Sequence, residues 1–140
     1  MHLILTTMRK QISSVQNPYI KELFLLKEKS RIRKKTKTFL IEGLREISLA
    51  IKGGYTINTI LVDTSILNVS ALNNLLESTP LEIEIIEITS QVHQKLATRT
   101  TTEGILALAN SKDLALDSIK FKSESPLILV VEAPEKPGNI

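Results

Sequence analysis

Short apolar runs alternate along the chain with longer segments whose apolar positions recur at helical spacing. Residues 38–42 carry Phe39, Leu40 and Ile41, a β-prone run that ends at Glu42-Gly43. From Leu44 onward, Leu44, Ile47 and Ile51 predict a helix, which Gly53-Gly54 stops because one of the two can take the left-handed position after the last turn. Residues 57–63 contain Ile60-Leu61-Val62, a continuous run expected of a strand covered on both faces, and hence of a parallel sheet. Leu72, Leu75 and Leu76 within 70–78 predict a third helix, closed by Pro80. Residues 82–88 alternate acid and isoleucine, as in a strand that turns Glu82 and Glu84 away from the core. Thr89-Ser90 can cap a short helix through Val92 and Leu96, and 105–109 form the next strand. Upstream, Asn17-Pro18 pairs an N-cap with proline at the first helical position. Ile20, Leu23, Phe24 and Leu26 then make the stripe of a helix that fades into a basic run. The alternation of strands and helices over 38–109 predicts an α/β fold, a small three-layer sandwich with a roughly four-stranded sheet.

The two ends behave differently. Residues 1–10 are too short to span a bilayer or to form the apolar part of a signal peptide, and Met8 before Arg9-Lys10 could itself be a start; they are expected to be a disposable N-terminal extension. Residues 11–109 then form the folded domain. Residues 110–125, mixed in charge and ending in Ser-Pro, are expected to be a linker with at best a weak turn near 114–121. Pro126 opens L-I-L-V-V, the most hydrophobic strand signal in the chain, and the residues after it, E-A-P-E-K-P-G-N-I, make 126–140 look like the start of a second domain that is cut off.

Charge adds a direction to this outline. Residues 1–56 hold twelve Lys and Arg against four acids, a balance of +8, whereas 57–140 hold six against eleven, a balance of −5. Arg31, Arg33, Lys34, Lys35 and Lys37 place five cations within seven positions. Such a run is either a surface for a polyanion or a solvated helical face; its position at the edge of a predicted core favours the first. Three Phe, two Tyr and no Trp leave few platforms for stacked bases, so recognition of a nucleic acid would rest on charge and hydrogen bonds. The absence of cysteine excludes disulfides and thiolate chemistry and is compatible with a cytoplasmic location. His2 and His93 are far apart in sequence and without evident partners, which argues against a catalytic or metal-ligating role for either. Glu42 and Glu46, four residues apart, read as surface ion-pair partners near Arg45. The hydroxyl-rich loop 98–104 around Arg99 is either a phosphate- or ribose-contacting loop or an ordinary turn. No nucleophile and base arrangement, phosphate-binding glycine loop or metal spacing is present.

In order along the chain stand N-P-Y-I-K (17–21), the basic run, F-L-I-E-G (39–43), T-T-E-G-I-L-A (101–107) and P-L-I-L-V-V-E-A-P-E-K-P-G-N-I (126–140). This succession resembles the SpoU, or TrmH, family of RNA ribose methyltransferases. The resemblance implies an N-terminal RNA-binding domain similar to kink-turn-binding ribosomal proteins, ahead of a knotted α/β domain that uses S-adenosylmethionine to methylate a ribose 2′-oxygen. It places Asn139 on the asparagine of the family's first catalytic motif. The arginine beyond it and the two later motifs are not among the 140 residues, so the fragment is expected to hold no cofactor and to be inactive alone. The implied partner is structured RNA, ribosomal or transfer, with Lys21, Arg31, Arg33, Lys34, Lys35, Lys37, Arg45 and Arg99 as candidate contacts. The resemblance further implies a homodimer formed through the catalytic domain, so that a fragment without it can stay monomeric. The competing expectation is a stand-alone ribosome-associated or RNA-binding module without enzymatic activity.

Overall fold

A computed structural model describes residues 8–77, 83–100 and 103–130. Strands β1 (Met8–Ile12), β2 (Thr38–Glu42), β3 (Ile57–Val62), β4 (Glu84–Ile88) and β5 (Ile105–Asn110) make one sheet in the order β1-β4-β3-β5-β2. Helices α1 (Pro18–Glu28), α2 (Ser30–Thr36), α3 (Leu44–Lys52), α4 (Val69–Glu77) and α5 (Ser90–Leu96) connect them, and a 3-10 turn at Leu116–Ser118 follows β5.

Alternation along each strand divides the aliphatic core into two. Ile41, Ile60, Val62, Ile85, Ile105 and Ala107 point to one side, where Ile47 of α3 and Leu72 and Leu75 of α4 close the layer. The intervening Leu61, Ile86, Ile88 and Leu106 point to the other, against Ile20 and Leu23 of α1 and Val92 and Leu96 of α5. The result is the expected three-layer sandwich, and β3 reads as a continuous apolar run because both its faces are covered.

The sheet has five strands rather than the roughly four expected. Met8–Ile12, which overlaps the expected disposable extension, is an edge strand paired in parallel with β4, with Lys10 opposite Ile86 and Ile12 opposite Ile88. M-R-K-Q-I lacks an alternating pattern, so nothing local marks it as a strand. Its lysine is nevertheless typical of an edge, and Lys10 lies 3.8 Å from Glu84. The outward turn expected of Glu84 holds, since the residue is exposed; Glu82 lies outside the described residues.

The parallel expectation is met by β1, β4 and β3, but β5 runs antiparallel to both β3 and β2. Short α5 and the loop to Gly104 bring the chain back to the end of the sheet that β4 has just left. Val62 is paired with Glu87 on one side and with Ile105 on the other. Gly104 permits that return: its φ is +73°, and an added Cβ would lie 3.0 Å from the Asp63 carbonyl oxygen and the Leu67 nitrogen.

Beyond β5, the Ser111 N–H donates to the Lys37 carbonyl at 2.8 Å, and Lys112 donates to the Gly53 carbonyl. The strand expected over 127–131 is not formed by Leu127, Ile128, Leu129 and Val130, which are exposed. A strand requires a paired neighbour, and among the described residues these four have none in the sheet. Val131 lies outside the described residues.

Candidate nucleic-acid interface

The basic run is a helix of its own. At Lys29 the backbone turns extended (φ −119°, ψ 109°), which ends α1 and starts α2, so α1 does not fade into the run as its sequence suggests. Within α2, Arg31, Lys34 and Lys35 are spaced i, i+3, i+4 and therefore share a face, and all three are exposed. Lys29 and Lys37 flank them, also exposed, and α2 contains no acid. Among the described residues, Arg31, Lys34, Lys35 and Lys37 form no ion pair or side-chain hydrogen bond. Lys29, absent from the candidate contacts, adjoins the run, and proximity is the only sequence signal that could have included it. Lys37 ends α2 in the left-handed region (φ 53°, ψ 36°), where a side chain with Cβ is strained.

Arg33 does something different. Its Nη1 donates to the carbonyls of Leu26 at 2.9 Å and Lys27 at 2.8 Å, which fastens α2 to the C-terminal turn of α1. Those carbonyls have no partners within the helix and sit at the negative end of its dipole, so a guanidinium there is a structural cap. Lys27 reaches the other way, donating to the Ala97 carbonyl at 3.0 Å just past α5. Lys21 stands on the first turn of α1, whereas α2 is joined to the last, so it is not part of the α2 face.

A second cluster forms where β2 passes into α3. Gly43 has φ +102°, a backbone conformation that strains any residue with a Cβ, so this entry to the helix favours glycine. Glu103 caps α3 from the far loop by accepting the Leu44 N–H at 2.7 Å. Glu42 accepts the Thr98 N–H at 2.8 Å, and Arg99 pairs with Glu46 at 2.7 Å. That hydrogen bond holds the Glu46 carboxyl below its usual range and raises the Arg99 guanidinium further. Arg99 is thus engaged with carboxylates rather than free for phosphate. Glu46 takes Arg99 and not Arg45 as its partner; Arg45 is exposed, and among the described residues it has no salt bridge.

For catalysis the described residues offer little. No group of three His, Cys, Asp or Glu that could hold a metal occurs among them, and Asn139 lies outside them. No described helix is long and apolar enough to cross a membrane. His93, on the inner face of α5, is fully buried.

The profile of the MRM3-like substrate-binding domain family matches residues 17–107. No curated protein matches the chain. Among solved structures, an RNA 2′-O ribose methyltransferase is similar at 34% identity and TM-score 0.75, over 92% of this chain and 48% of its own. The SpoU methyltransferase AviRb from Streptomyces viridochromogenes, solved in complex with the cofactor AdoMet, is 22% identical with TM-score 0.66, over 76% of this chain and 40% of its own. An rRNA methyltransferase from Sinorhizobium meliloti is 19% identical with TM-score 0.60, over 74% and 37%; at such identities these last two likenesses show the fold alone. The chain spans about half the length, or less, of the solved relatives it matches.

Proposed function

Because this chain belongs to the family of MRM3-like substrate-binding domains, we propose that it is the RNA-capturing part of an S-adenosylmethionine-dependent RNA 2′-O-ribose methyltransferase acting on structured ribosomal or transfer RNA. Its relatives of known structure are RNA methyltransferases. In this reading residues 11–109, together with the rest of β1, hold the RNA, 110–125 are a linker, and 126–140, with Asn139, belong to the catalytic domain.

The observation that carries the reading is the exposed, unpaired cationic face Arg31, Lys34 and Lys35 of α2, flanked by Lys29 and Lys37. Phosphates and 2′-hydroxyls are what an A-form helix presents most openly, and a cationic face with few aromatics suits them better than it suits stacked single strands. Arg45 is a further contact. Lys21 is not, being at the far end of α1, and Arg33 and Arg99 are engaged within the fold. In this reading the chain's part is to hold the RNA, and no methyl-transfer step is assigned to its described residues.

The test is a titration of the chain with a structured RNA hairpin at several salt concentrations. A log–log slope of about −3 to −4 is expected for four to five phosphate contacts, each contributing roughly 0.7–0.9. Binding that ignores salt would overturn the reading.

A further inference from the structure

We infer that the cavity beside α2 receives one unstacked guanine of the bound RNA, an inference that rests on the RNA reading above and adds a base-specific component to it. The cavity measures about 300 Å³ and opens between the last turn of α1, β2 and the residues that follow α5. Leu26, Leu40, Leu96 and Leu106 line it with aliphatic surface; Arg33, Glu42 and Thr98 add polar groups. Its volume lies at the lower end of the range for small-molecule sites, suited to a ring system rather than to a whole cofactor.

Two further features select a base and then this base. Arg33 is held in place by its bonds to Leu26 and Lys27, so a guanidinium of fixed orientation stands beside an apolar wall. Unstacked RNA bases are held by such planes and their edges are read by hydrogen bonds. The edge reader is Glu42. Its Oε2 takes the Thr98 N–H at 2.8 Å, whereas Oε1 has only a long contact, 3.4 Å, from the Arg99 N–H. A carboxylate has about four acceptor positions and no donor, so the unused capacity demands N–H groups. Guanine presents two adjacent donors, N1–H and the N2 amino group, on its Watson–Crick edge. Uracil flanks its one N–H with carbonyls that oppose a carboxylate, and adenine and cytosine each set one amino group beside a bare ring nitrogen. Because Arg33 belongs to α2, the exposed cations of the same helix are placed to neutralise the phosphates flanking the inserted base.

The experiment compares binding of the full chain, by fluorescence anisotropy, to an RNA hairpin with an all-uridine loop and to the same hairpin with one guanosine at the centre of the loop. Guanosine is expected to raise affinity about tenfold, the lower range for a bidentate edge contact, and inosine, lacking the N2 amino group, to lose most of that gain. Leu40→Phe, which fills the cavity while leaving the carboxylate in place, and Glu42→Gln should each abolish the preference. Should Glu42→Gln loosen the 98–99 loop, Leu40→Phe and inosine still decide. Equal binding of both hairpins overturns the guanine pocket and spares the RNA reading; binding of neither overturns both. A preference that survives Leu40→Phe places the guanine elsewhere and also overturns the pocket.

Discussion

Arg33 holds two carbonyls at the end of α1 with one guanidinium nitrogen, so its replacement acts first on the fold. Arg33→Ala is expected to lower unfolding free energy by about 1–2 kcal/mol, the worth of charge-assisted hydrogen bonds at a helix terminus, and to leave the salt slope of RNA binding nearly unchanged. Urea denaturation and the titration together check this; a normal stability with a reduced slope would return Arg33 to the RNA contacts. Sequence could not separate it from Lys34 and Lys35, because the distinction depends on where α1 ends and the chain turns back.

His93 makes a second residue-scale prediction. It is fully buried, and neither ring nitrogen has a hydrogen-bond partner among the described residues. Burial depresses its pKa, and the opposing pull of Asp63 and Glu42 only partly offsets this. The folded chain therefore keeps the ring neutral where the unfolded chain accepts a proton. Stability should be full above pH about 6.5 and fall as the pH drops below it, since the unfolded state then binds more protons. His93→Leu should flatten the dependence between about pH 5.5 and 7, above the usual carboxylate range. A wild-type stability constant over that interval would show that the ring takes up its proton in the fold as readily as in the unfolded chain.

At the scale of elements, strands whose apolar residues mark two covered faces are readable from the chain alone: Ile60-Leu61-Val62 and Ile105 to Ala109 divide between the two cores as their alternation requires. β1 is not, because a strand at an edge needs only one buried side chain and takes its definition from β4. Ile12 supplies that side chain. Ile12→Ala should cost about 2–4 kcal/mol, as for other large-to-small core changes, whereas an edge strand that adds nothing to the core would tolerate it within experimental error. The end of α2 offers the opposite test. Lys37 sits in the left-handed region, so Lys37→Gly should stabilise the chain by up to about 1 kcal/mol while weakening RNA binding through the lost charge. Thermal melts and a titration of the same variant read both signs; stabilisation without loss of affinity would remove Lys37 from the interface.

For the whole molecule, the balance of +8 over residues 1–56 against −5 over 57–140 points to one binding side, and the fold concentrates this contrast. Free cations gather on α2, while Arg99, a candidate contact by charge, is drawn into the carboxylates of the 42–46 turn. The candidate site is legible as a run of charge, since five cations in seven positions exceed what nearby acids can neutralise. Which cations are free is not legible, since Arg33 is claimed by a helix end folded back on it and Arg99 by a carboxylate more than fifty positions away.

The most direct measurement replaces Arg31, Lys34 and Lys35 together by alanine and repeats the titration with a structured RNA hairpin over a range of salt. These side chains are exposed and form no ion pair among the described residues, so the melting temperature should hold. The log–log slope should become shallower by about two to three, roughly 0.7–0.9 for each phosphate contact removed. An unchanged slope with unchanged affinity would mean that α2 is a solvated face and that RNA is held elsewhere.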